Sequence, residues 1–528
     1  MLKKNDGQID IFNHMIFEKL IPKNHLLVKI DSIIDFSFVY EKIEDKYSDM
    51  GRGSKDPVMM VKILLLEYLY RLSDVEVSDR INTDVAFRWF LGLGIDDTVP
   101  DDTTISYFRV KRLGEEDFDA FFNEIVKMCI EKDLVKSRRY IVDTTDVAAN
   151  VNYLSEKKLI RNAFTKVIKE IEKFNESLAK QHLEQFEAEI HREYENNENV
   201  SAKRYFEIAS KHLQYLYLKT DSELQTNNKY RETFGICYDI IDQYLNNRKD
   251  KIVSVVDPDA RVAHKSPGNL KRGYKDHIIV DEDSEIILAS TQTPFNTGDE
   301  KKLQELVEKV EQEFEIKPEE ITADKVYGTA DNRAYLKDNE IISNIAFYKE
   351  SSRETNYYGL KDFRISEDLK SVTCPNEVTT EEYVILNNKT HKKEFKRFHF
   401  DKKNCCHCPL RDQFLYINKN GKLLRRARVV DVPLRYDAVL RDMKRVESEE
   451  FEEAINKRFK VEKRFAAMVR NHGLRRYRYL RLKGARVHIT LANMVCNIVR
   501  MVNLIYPPKH CYTANIEGSQ VRELNKSI

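Results

Sequence analysis

The sequence lacks both a charge bias and a long apolar run. Its 528 residues carry 88 Lys and Arg against 87 Asp and Glu, a net charge of +1, so bulk charge indicates nothing about partners. No stretch approaches the roughly 18 uncharged apolar residues of a membrane helix, so we expect no transmembrane segment. The first residues, MLKKNDGQIDIF, lack the apolar centre of a signal peptide, and a cytosolic protein is expected. Eight cysteines in such a chain are expected to be thiols or metal ligands rather than disulfides.

Glycine and proline are scarce, with 16 and 12 residues, and neither occurs between residues 115 and 234. Beyond residue 151 the chain is rich in Lys, Glu, Leu and Gln at helical spacing, with apolar residues such as Leu159 and Phe164 at the periodic positions. We therefore predict two to four long amphipathic helices over residues 154–250, inserted after a first strand. Hydrophobic residues make up 41% of the chain, which supports a large core and excludes a wholly disordered protein.

The N-terminal part shows the start and stop signals of several short helices. PVMMVKILLLEYLYRL, from Pro57, is apolar nearly all round and predicts a buried helix with proline in its first turn. Ser73 and Glu76 have capping-box spacing, and Asp102 is a candidate N-cap of a later helix. That later helix ends in basic residues, among them Arg109, Lys111 and Arg112. Both a helix-turn-helix-like DNA-binding module and a plain helical bundle fit this pattern.

Strand patterns surround two aspartates. RYIVDTTDVAA, at 139–149, predicts a short strand running into Asp143. After residue 252 the segments IVSVVDPDARV, YKDHIIVDED, EIILASTQTP and EITADKVYG predict four more strands, and Asp324 ends the last. KKLQELVEKVEQEFE, before that last strand, predicts an amphipathic helix. A crossover through this helix would place the last strand parallel to a partner in the same sheet.

A third acid, Glu462, lies in the helical run RFKVEKRFAAMVR. From Lys457 to Arg486 there are twelve Lys or Arg and this one acid. Acids from separate elements that meet around two Mg²⁺ ions can support phosphodiester cleavage, and basic surroundings hold phosphates. The plainer interpretation is that Glu462 is an ion-pair partner on a solvated face. The conjunction of two strand-end aspartates with this glutamate favours a nuclease-type site.

Asp146 is the rival of Asp143 as the first acid. The two residues are three apart on a strand and point to opposite faces, so only one can face a shared metal site. Apolar Ile141 and Val142 lead directly into Asp143, which favours it.

Basic residues alternate with aromatic ones in RNHGLRRYRYLRLKGARVH. Arginines there can pair with phosphates, and tyrosines can stack on bases. A solvated helix face is the alternative, but the density of arginine and the near absence of acids favour DNA. The basic residues concerned are Arg475, Arg476, Arg478, Arg481, Lys483 and Arg486, and the aromatic ones are Tyr477 and Tyr479. A weaker basic group near the central strands contains Lys265, Lys271, Arg272 and Lys275.

Cysteines cluster in KNCCHCPLRDQ, and Cys374 precedes them. Cys405 and Cys408 have the spacing at which one turn aims two thiolates at one zinc ion. Cys374 would be a third ligand, and Cys406 or His407 a fourth. Reduced, unliganded thiols in a packed subdomain are the equally weighted alternative.

Taken together, these motifs resemble a bacterial insertion-sequence transposase of the DDE type, with an N-terminal transposase helical domain and a Cys-bearing insertion. IDFSFV, AFRWFLGL and PDDTTISYFR are similar to the family's N-terminal segments. VDTTDVAANV resembles its first-Asp strand, and GYKDHIIVD and ITADKVYGTADN resemble its second strand and second-Asp segment. In the family's motif of Tyr, Arg, Glu and Lys, Arg458 and Glu462 stand at the Arg and Glu positions. Ile455 stands at the Tyr position and Val469 at the Lys position, with Arg470 next to it.

The resemblance implies an α/β core of ribonuclease-H-like type, with an α-helical N-terminal domain, a long helical insertion and a small Cys-containing insertion. The expected domains are 1–135 (helical, DNA-binding), 136–153 (first part of the core), 154–250 (helical insertion), 251–345 (central core), 346–435 (Cys-containing insertion), 436–505 (C-terminal helices of the core) and 506–528 (tail). Asp143, Asp324 and Glu462 would bind two Mg²⁺ or Mn²⁺ ions.

The implied activity is cleavage at the element's ends to expose a 3′-OH, then strand transfer into target DNA. The implied partners are double-stranded DNA, both the terminal inverted repeats and the target, and a second copy of the chain bound to that DNA. The implied location is the nucleoid in the cytoplasm, and no membrane is expected to be involved. The expected DNA-contacting residues are Arg109, Arg112, Arg458, Arg470, Arg475, Arg476, Arg478 and Arg481. A same-fold nuclease without strand transfer and a catalytically silent DNA-binding protein are the alternatives.

Overall fold

A computed structural model gives the fold of most of the chain. The described residues are 2, 11–47, 53–152, 154–196, 200–266, 269–348, 358–388, 393–411 and 427–507. The predicted tail, 506–528, lies almost wholly outside these ranges. The chain divides into two compact units, one formed by residues 1–135 with 494–528 and the other by residues 136–493.

The first unit is helical. Its helices are α1 (Ile11–Leu20), α2 (Leu26–Ile33), α3 (Phe38–Ile43), α4 (Pro57–Tyr70), α5 (Asp74–Thr83), α6 (Val85–Phe90), α7 (Asp102–Tyr107) and α8 (Glu115–Glu131). As predicted, α4 begins at Pro57 and is buried nearly all round, and the capping box of Ser73 and Glu76 opens α5. The N-cap of α7 is Asp101 rather than the predicted Asp102, because the Asp101 carboxylate accepts the backbone N–H of Thr104 at 2.6 Å.

In the second unit, five helices follow the first strand. They are α9 (Glu156–Glu172), α10 (Glu176–Asn196), α11 (Ala202–Lys219), α12 (Ser222–Thr226) and α13 (Asn228–Leu245). Four of them are long, as the periodicity predicted. The apolar stripes of these helices share one core, in which the rings of Phe164 and Phe186 stack at 4.3 Å. The segment is therefore a packed helical layer rather than a linker.

A six-stranded mixed sheet forms the centre of the second unit. Its strands are β1 (Arg139–Ala148), β2 (Arg261–Ser266), β3 (Asn269–Asp281), β4 (Ile287–Pro294), β5 (Glu320–Ala323) and β6 (Ile342–Ile345). The long strand β3 pairs antiparallel with β2, β4 and β1, and β1, β5 and β6 run parallel to one another. Helices α14 (Leu303–Phe314) and α15 (Ala330–Asp338) precede the two later parallel strands. The predicted parallel pairing of the Asp324 strand is thus confirmed.

One predicted strand of this sheet needs correction, and one strand was missed. The strand expected from residue 252 begins only at Arg261, because Asp257 in the preceding loop accepts hydroxyl hydrogen bonds from Tyr274 and Tyr477 instead of joining the ladder. Strand β6 has no clear sequence pattern, since it is only four residues long. The first difference reflects contacts that are not local in the chain, and the second reflects the shortness of the strand.

Strands β1 and β3 approach each other closely at Gly273. This glycine has φ +147°, and a Cβ at this position would collide with the carbonyl oxygen of Val147. Only glycine fits both the backbone conformation and the space.

The later part of the second unit contains short strands and then helices. They are β7 (Arg364–Ile365), β8 (Val372–Thr373), β9 (Thr379–Thr380), β10 (Tyr383–Asn388), β11 (Lys393–His399), α16 (Lys402–Cys406), β12 (Val429–Pro433), α17 (Tyr436–Val446), α18 (Glu449–Lys457) and α19 (Phe459–Asn471). The last helix, α20 (Arg481–Ile505), begins in this unit, and its residues from 494 onward belong to the first unit. Arg333 of α15 and Asp442 of α17 form a fully buried ion pair at 2.6 Å, which fixes α17 against α15.

Helix α20 corrects the expectation that no segment is long and apolar enough to cross a membrane. Among the described residues it is the one helix that passes by length and composition. Because 72% of its most apolar window is buried inside the protein, its apolar residues are explained by the core.

Candidate active site where strands β1 and β5 separate

Asp143 and Asp324 are neighbours where the pairing of β1 with β5 ends. The parallel register aligns Val142 of β1 with Ala323 of β5, and the two aspartates are the next residues along each segment. Adjacent strands lie about 4.8 Å apart, so this register makes the two backbones neighbours at these positions. One strand pairing thus brings together residues that are far apart in the chain.

Glu462 joins them through Arg458. It lies in the first turn of α19, and Arg458 immediately precedes that helix. The Arg458 guanidinium donates to the Asp143 carboxylate at 2.8 Å and to the Glu462 carboxylate at 3.3 Å. Asp143 is 17% exposed and Glu462 60%, so the glutamate faces solvent and the aspartate is the more buried of the two.

The acidic neighbours affect the titration of Asp143. Its pKa is raised to about 6, chiefly by burial and also by the negative charges of Asp324 and Glu462. The backbone N–H of Thr144 and the guanidinium of Arg458 act in the opposite direction on this pKa. Asp143, its strand neighbour Asp324, and Glu462, which shares Arg458 with Asp143, are here called the acidic group.

A chain of polar side chains links the strands beside the acidic group. The Thr144 hydroxyl lies 2.7 Å from Nδ1 of His277 and 2.6 Å from the hydroxyl of Tyr327, and Nε2 of His277 lies 2.8 Å from Thr293. Burial lowers the pKa of His277 to about 3, so the ring is neutral, and burial raises the pKa of Tyr327. This chain joins β1, β3, β4 and the turn after β5. Sequence reasoning missed it, because only its residue types were visible, inside segments taken as strands.

Asp146, the rival first acid, has a different environment. Its carboxylate is paired with the Lys271 ammonium at 2.8 Å. Asp143 instead shares Arg458 with Glu462 and responds to the charge of Asp324. The surroundings of the two aspartates thus favour Asp143 as the member of the acidic group.

The donor chemistry of the acidic group fits a hard divalent cation. All three side chains offer carboxylate oxygens, the ligands that Mg²⁺ prefers, and the group already accommodates one positive charge, the guanidinium of Arg458. In the described part of the chain, no three acid, histidine or cysteine side chains lie close enough to hold a metal ion as they stand. Ion binding at Asp143 and Glu462 would require Arg458 to move.

The predicted DNA-contacting arginines of the first unit have other partners. Arg109 is only 6% exposed and donates to both carboxylate oxygens of Asp74 at 2.9 and 2.6 Å, with Glu67 at 3.5 Å. This buried double pairing gives Arg109 a structural role, which corrects the prediction of a phosphate contact. Arg112 is half-buried, and it donates to the backbone carbonyl of Lys46.

In the second unit, Arg475 and Arg476 are exposed beside the far end of β1. The backbone carbonyl of Arg475 accepts the N–H of Ala148 at 2.9 Å, and the Arg476 side chain donates to Asn150. Arg481 is exposed and paired with Glu232. The two remaining arginines differ in exposure, since Arg470 is exposed near the end of α19 and Arg478 is half-buried.

Cys374, Cys405 and Cys408 line one small cavity of about 20 Å³. The seven described cysteines are thiols rather than disulfides, as expected. Burial raises the pKa of Cys405, and the neighbouring cysteines add to the rise. Nδ1 of His407 lies 2.9 Å from the carbonyl oxygen of Lys403, in the preceding helix. The three thiols line the same cavity. Among the described residues, however, no three cysteine, histidine or acidic side chains are placed to hold a metal ion.

Two family models match the chain. The transposase domain (DUF772) matches residues 15–111, and the transposase DDE domain matches residues 373–502. The second range contains Glu462, whereas Asp143 and Asp324 lie outside both. No solved structure matches the chain.

Proposed function

The chain belongs to the DDE-type transposases of insertion sequences, as its motifs predicted, and on that basis we propose that it cuts DNA at the ends of its element and joins the ends to target DNA. Cleavage would expose a 3′-OH, which would then attack the target strand. The observation that supports this proposal most directly is geometric: the β1–β5 register makes Asp143 and Asp324 neighbours, and the Arg458 guanidinium binds the carboxylates of both Asp143 and Glu462.

The strand arrangement supports a ribonuclease-H-like core. The antiparallel strands β4 and β3 are followed across the sheet by β1, β5 and β6, which are parallel. In this arrangement the proposed first acid lies on β1, and the proposed second acid follows its direct neighbour β5. The C-terminal helix α19 would then supply the glutamate.

Asp143, Asp324 and Glu462 would hold two divalent cations of the kind that DDE transposases generally use, Mg²⁺ or Mn²⁺. Bound there, such ions would activate the attacking oxygen and stabilise the leaving oxygen. The chain's own contribution is to fix the carboxylates, through the strand register and the hydrogen bonds of Thr144 to His277 and Tyr327. Arg458, released from Asp143, would become available to a DNA phosphate.

Nicking of supercoiled plasmid in the presence of Mg²⁺ or Mn²⁺ tests the assignment. Asp143→Asn, Asp324→Asn and Glu462→Gln are each expected to abolish cutting while leaving DNA binding intact. Asp146→Asn, on the same strand but paired with Lys271, is the matched control and should still cut. Loss of cutting in Asp146→Asn with retention in Asp143→Asn would reverse the assignment.

The same assay separates the other candidate functions. Cutting without any joined product would favour a nuclease of the same fold. Binding without cutting in the wild-type protein would favour a silent DNA-binding protein. For the transposase, we propose that the N-terminal helices recognise the terminal repeats and that two copies of the chain hold the two ends together.

The cysteine group has a separate proposal. Zn²⁺ bound by Cys374, Cys405 and Cys408, with a fourth ligand from Cys406 or His407, would stabilise the small subdomain. What supports it is the convergence of three thiols on one cavity. It is independent of the acidic group.

A further inference from the structure

A large cavity in the second unit lies between the helical insertion and the central sheet, away from the acidic group. Its volume is about 850 Å³. Its charged lining residues are Lys157, Lys249, Lys251, Arg261, Arg272, Glu156 and Asp250. Five bases against two acids give the lining a net positive charge.

The acid Asp250 does not balance the lysines. Its carboxylate is held by Arg261 at 2.5 Å and by the side-chain amide of Asn296 at 2.9 Å. Among the residues that the structure describes, no carboxylate lies within ion-pair distance of Lys157, Lys249 or Lys251. Three ammonium groups therefore line this cavity outside ion-pair distance of both lining acids, Asp250 and Glu156, and the lining keeps a net positive charge suited to an anion.

The position of the cavity suggests which anion. Arg272 lies on β3 six residues from Ile278, the residue that pairs with Asp143. At about 3.4 Å per residue this is roughly 20 Å along the strand. B-form DNA rises about 3.4 Å per base pair, so a duplex cut at Asp143 and running along β3 would bring its backbone to the cavity about six base pairs away.

The aromatic content of the cavity argues against single-stranded DNA. Tyr244 is the one aromatic residue in the described lining, and its ring is stacked on Phe206 at 4.6 Å with an interplanar angle of 9°. The ammonium of Lys251 lies 4.3 Å from the centre of the same ring. The ring is thus already engaged by two neighbours, so Tyr244 offers no open platform for an unpaired base.

We propose that this basic cavity binds the phosphodiester backbone of duplex DNA about six base pairs from the cleavage position. The proposal rests on the proposed function for the location of the cut, but the binding itself needs no chemistry. The distance between the acidic group and this cavity would thus determine the length of duplex that the second unit contacts. The lysines that bind the backbone would come from the helical insertion and from the loop that follows it.

Salt-dependent binding of the full-length protein to a fluorescently labelled, random-sequence duplex in EDTA tests this proposal. The combined variant Lys157→Gln, Lys249→Gln and Lys251→Gln should lower the slope of log affinity against log salt by about 2 to 3, since each lost phosphate contact accounts for about 0.9. The matched control carries Lys169→Gln, Lys203→Gln and Lys219→Gln, which are exposed lysines of the same insertion outside the cavity. It should change the slope by less than about 1.

Equal losses in the two triple variants would overturn the proposal, because general charge would then explain the effect. Lys→Arg replacements at the three cavity positions should preserve the wild-type slope, and failure to do so in a folded protein would also count against it. Binding of inorganic phosphate alone, or of a single-stranded oligonucleotide in preference to the duplex, would assign the cavity to another ligand. If the protein never nicks plasmid but the cavity variant still lowers the slope of log affinity against log salt, the proposed function is refuted. The proposed contact between the cavity and the DNA backbone is then still supported.

Discussion

Replacement of the buried carboxyl group of Asp276 should stabilise the protein in a pH-dependent way. Asp276 is fully buried on β3, where it accepts hydrogen bonds from the amides of Asn493 at 3.1 Å and Gln292 at 3.5 Å. Burial raises its pKa to about 8, against the ordinary value of 3.8 that applies to the unfolded chain. The folded protein therefore keeps this proton over a range in which the unfolded chain has lost it.

The sign follows from the raised pKa. Between pH 3.8 and about 8 the folded state binds more protons than the unfolded state, so stability falls as pH rises and then levels off above about 8. At about 1.4 kcal/mol for each pH unit, the total cost is at most about 6 kcal/mol.

Asp276→Asn removes this cost, because an amide does not ionise. The side-chain oxygen of Asn493 has no hydrogen-bond partner among the described residues. Rotation of the Asn493 amide would therefore let this oxygen accept a hydrogen bond from the amide group that the substitution introduces. The variant keeps the size of the side chain and its hydrogen bonding while losing the titration.

Urea unfolding of wild type and Asp276→Asn across this pH range provides the measurement. The difference in unfolding free energy should grow with a slope of up to about 1.4 kcal/mol per pH unit and become constant above about pH 8. Asp239→Asn, at an exposed position on α13, gives the baseline for loss of a surface carboxylate. A difference that does not vary with pH would refute the buried, protonated state of Asp276.

Three further predictions concern stability and metal content. Asp442→Ala should cost about 3–5 kcal/mol in urea unfolding, because it leaves the Arg333 charge buried without its partner, and a loss below about 1 kcal/mol would contradict this. Gly273→Ala should cost of order 1–3 kcal/mol, since alanine is strained at φ +147° and its Cβ meets the Val147 carbonyl; an unchanged melting temperature would argue against that close approach. If zinc occupies the cysteine group, elemental analysis should find one zinc per chain in the wild type and none in Cys405→Ser, and a metal-free wild type would exclude the site.

Local features of the fold were predictable because their causes are local. A proline followed by an unbroken apolar run is enough to specify the start and burial of α4. The Ser73–Glu76 pair satisfies two backbone donors within one turn, so its spacing alone identifies the start of α5. The prediction failed at 252–260, where two distant tyrosine hydroxyls hold Asp257 in a loop.

The basic helix α19 shows the limit of reading charge along the chain. In sequence, Glu462 is the one acid in a basic stretch. In the fold, the hairpin between β3 and β4 brings Glu282 to Lys457 at 3.0 Å and Glu285 to Arg464 at 2.9 Å. The stretch is therefore partly neutralised by acids that are distant in the chain. Only some of the basic residues of this stretch are therefore available to bind DNA phosphates.

The sequence by itself determined the helices, the main strands and the two aspartates that follow apolar strand cores, since propensity, capping and periodicity act over a few residues. Only the tertiary structure decided that Asp143 and Asp324 stand side by side, that Arg458 links Asp143 to Glu462, and that Arg109 is buried. Strand register and ion pairing join residues far apart in the chain, and their energies depend on burial and distance, which no local pattern encodes.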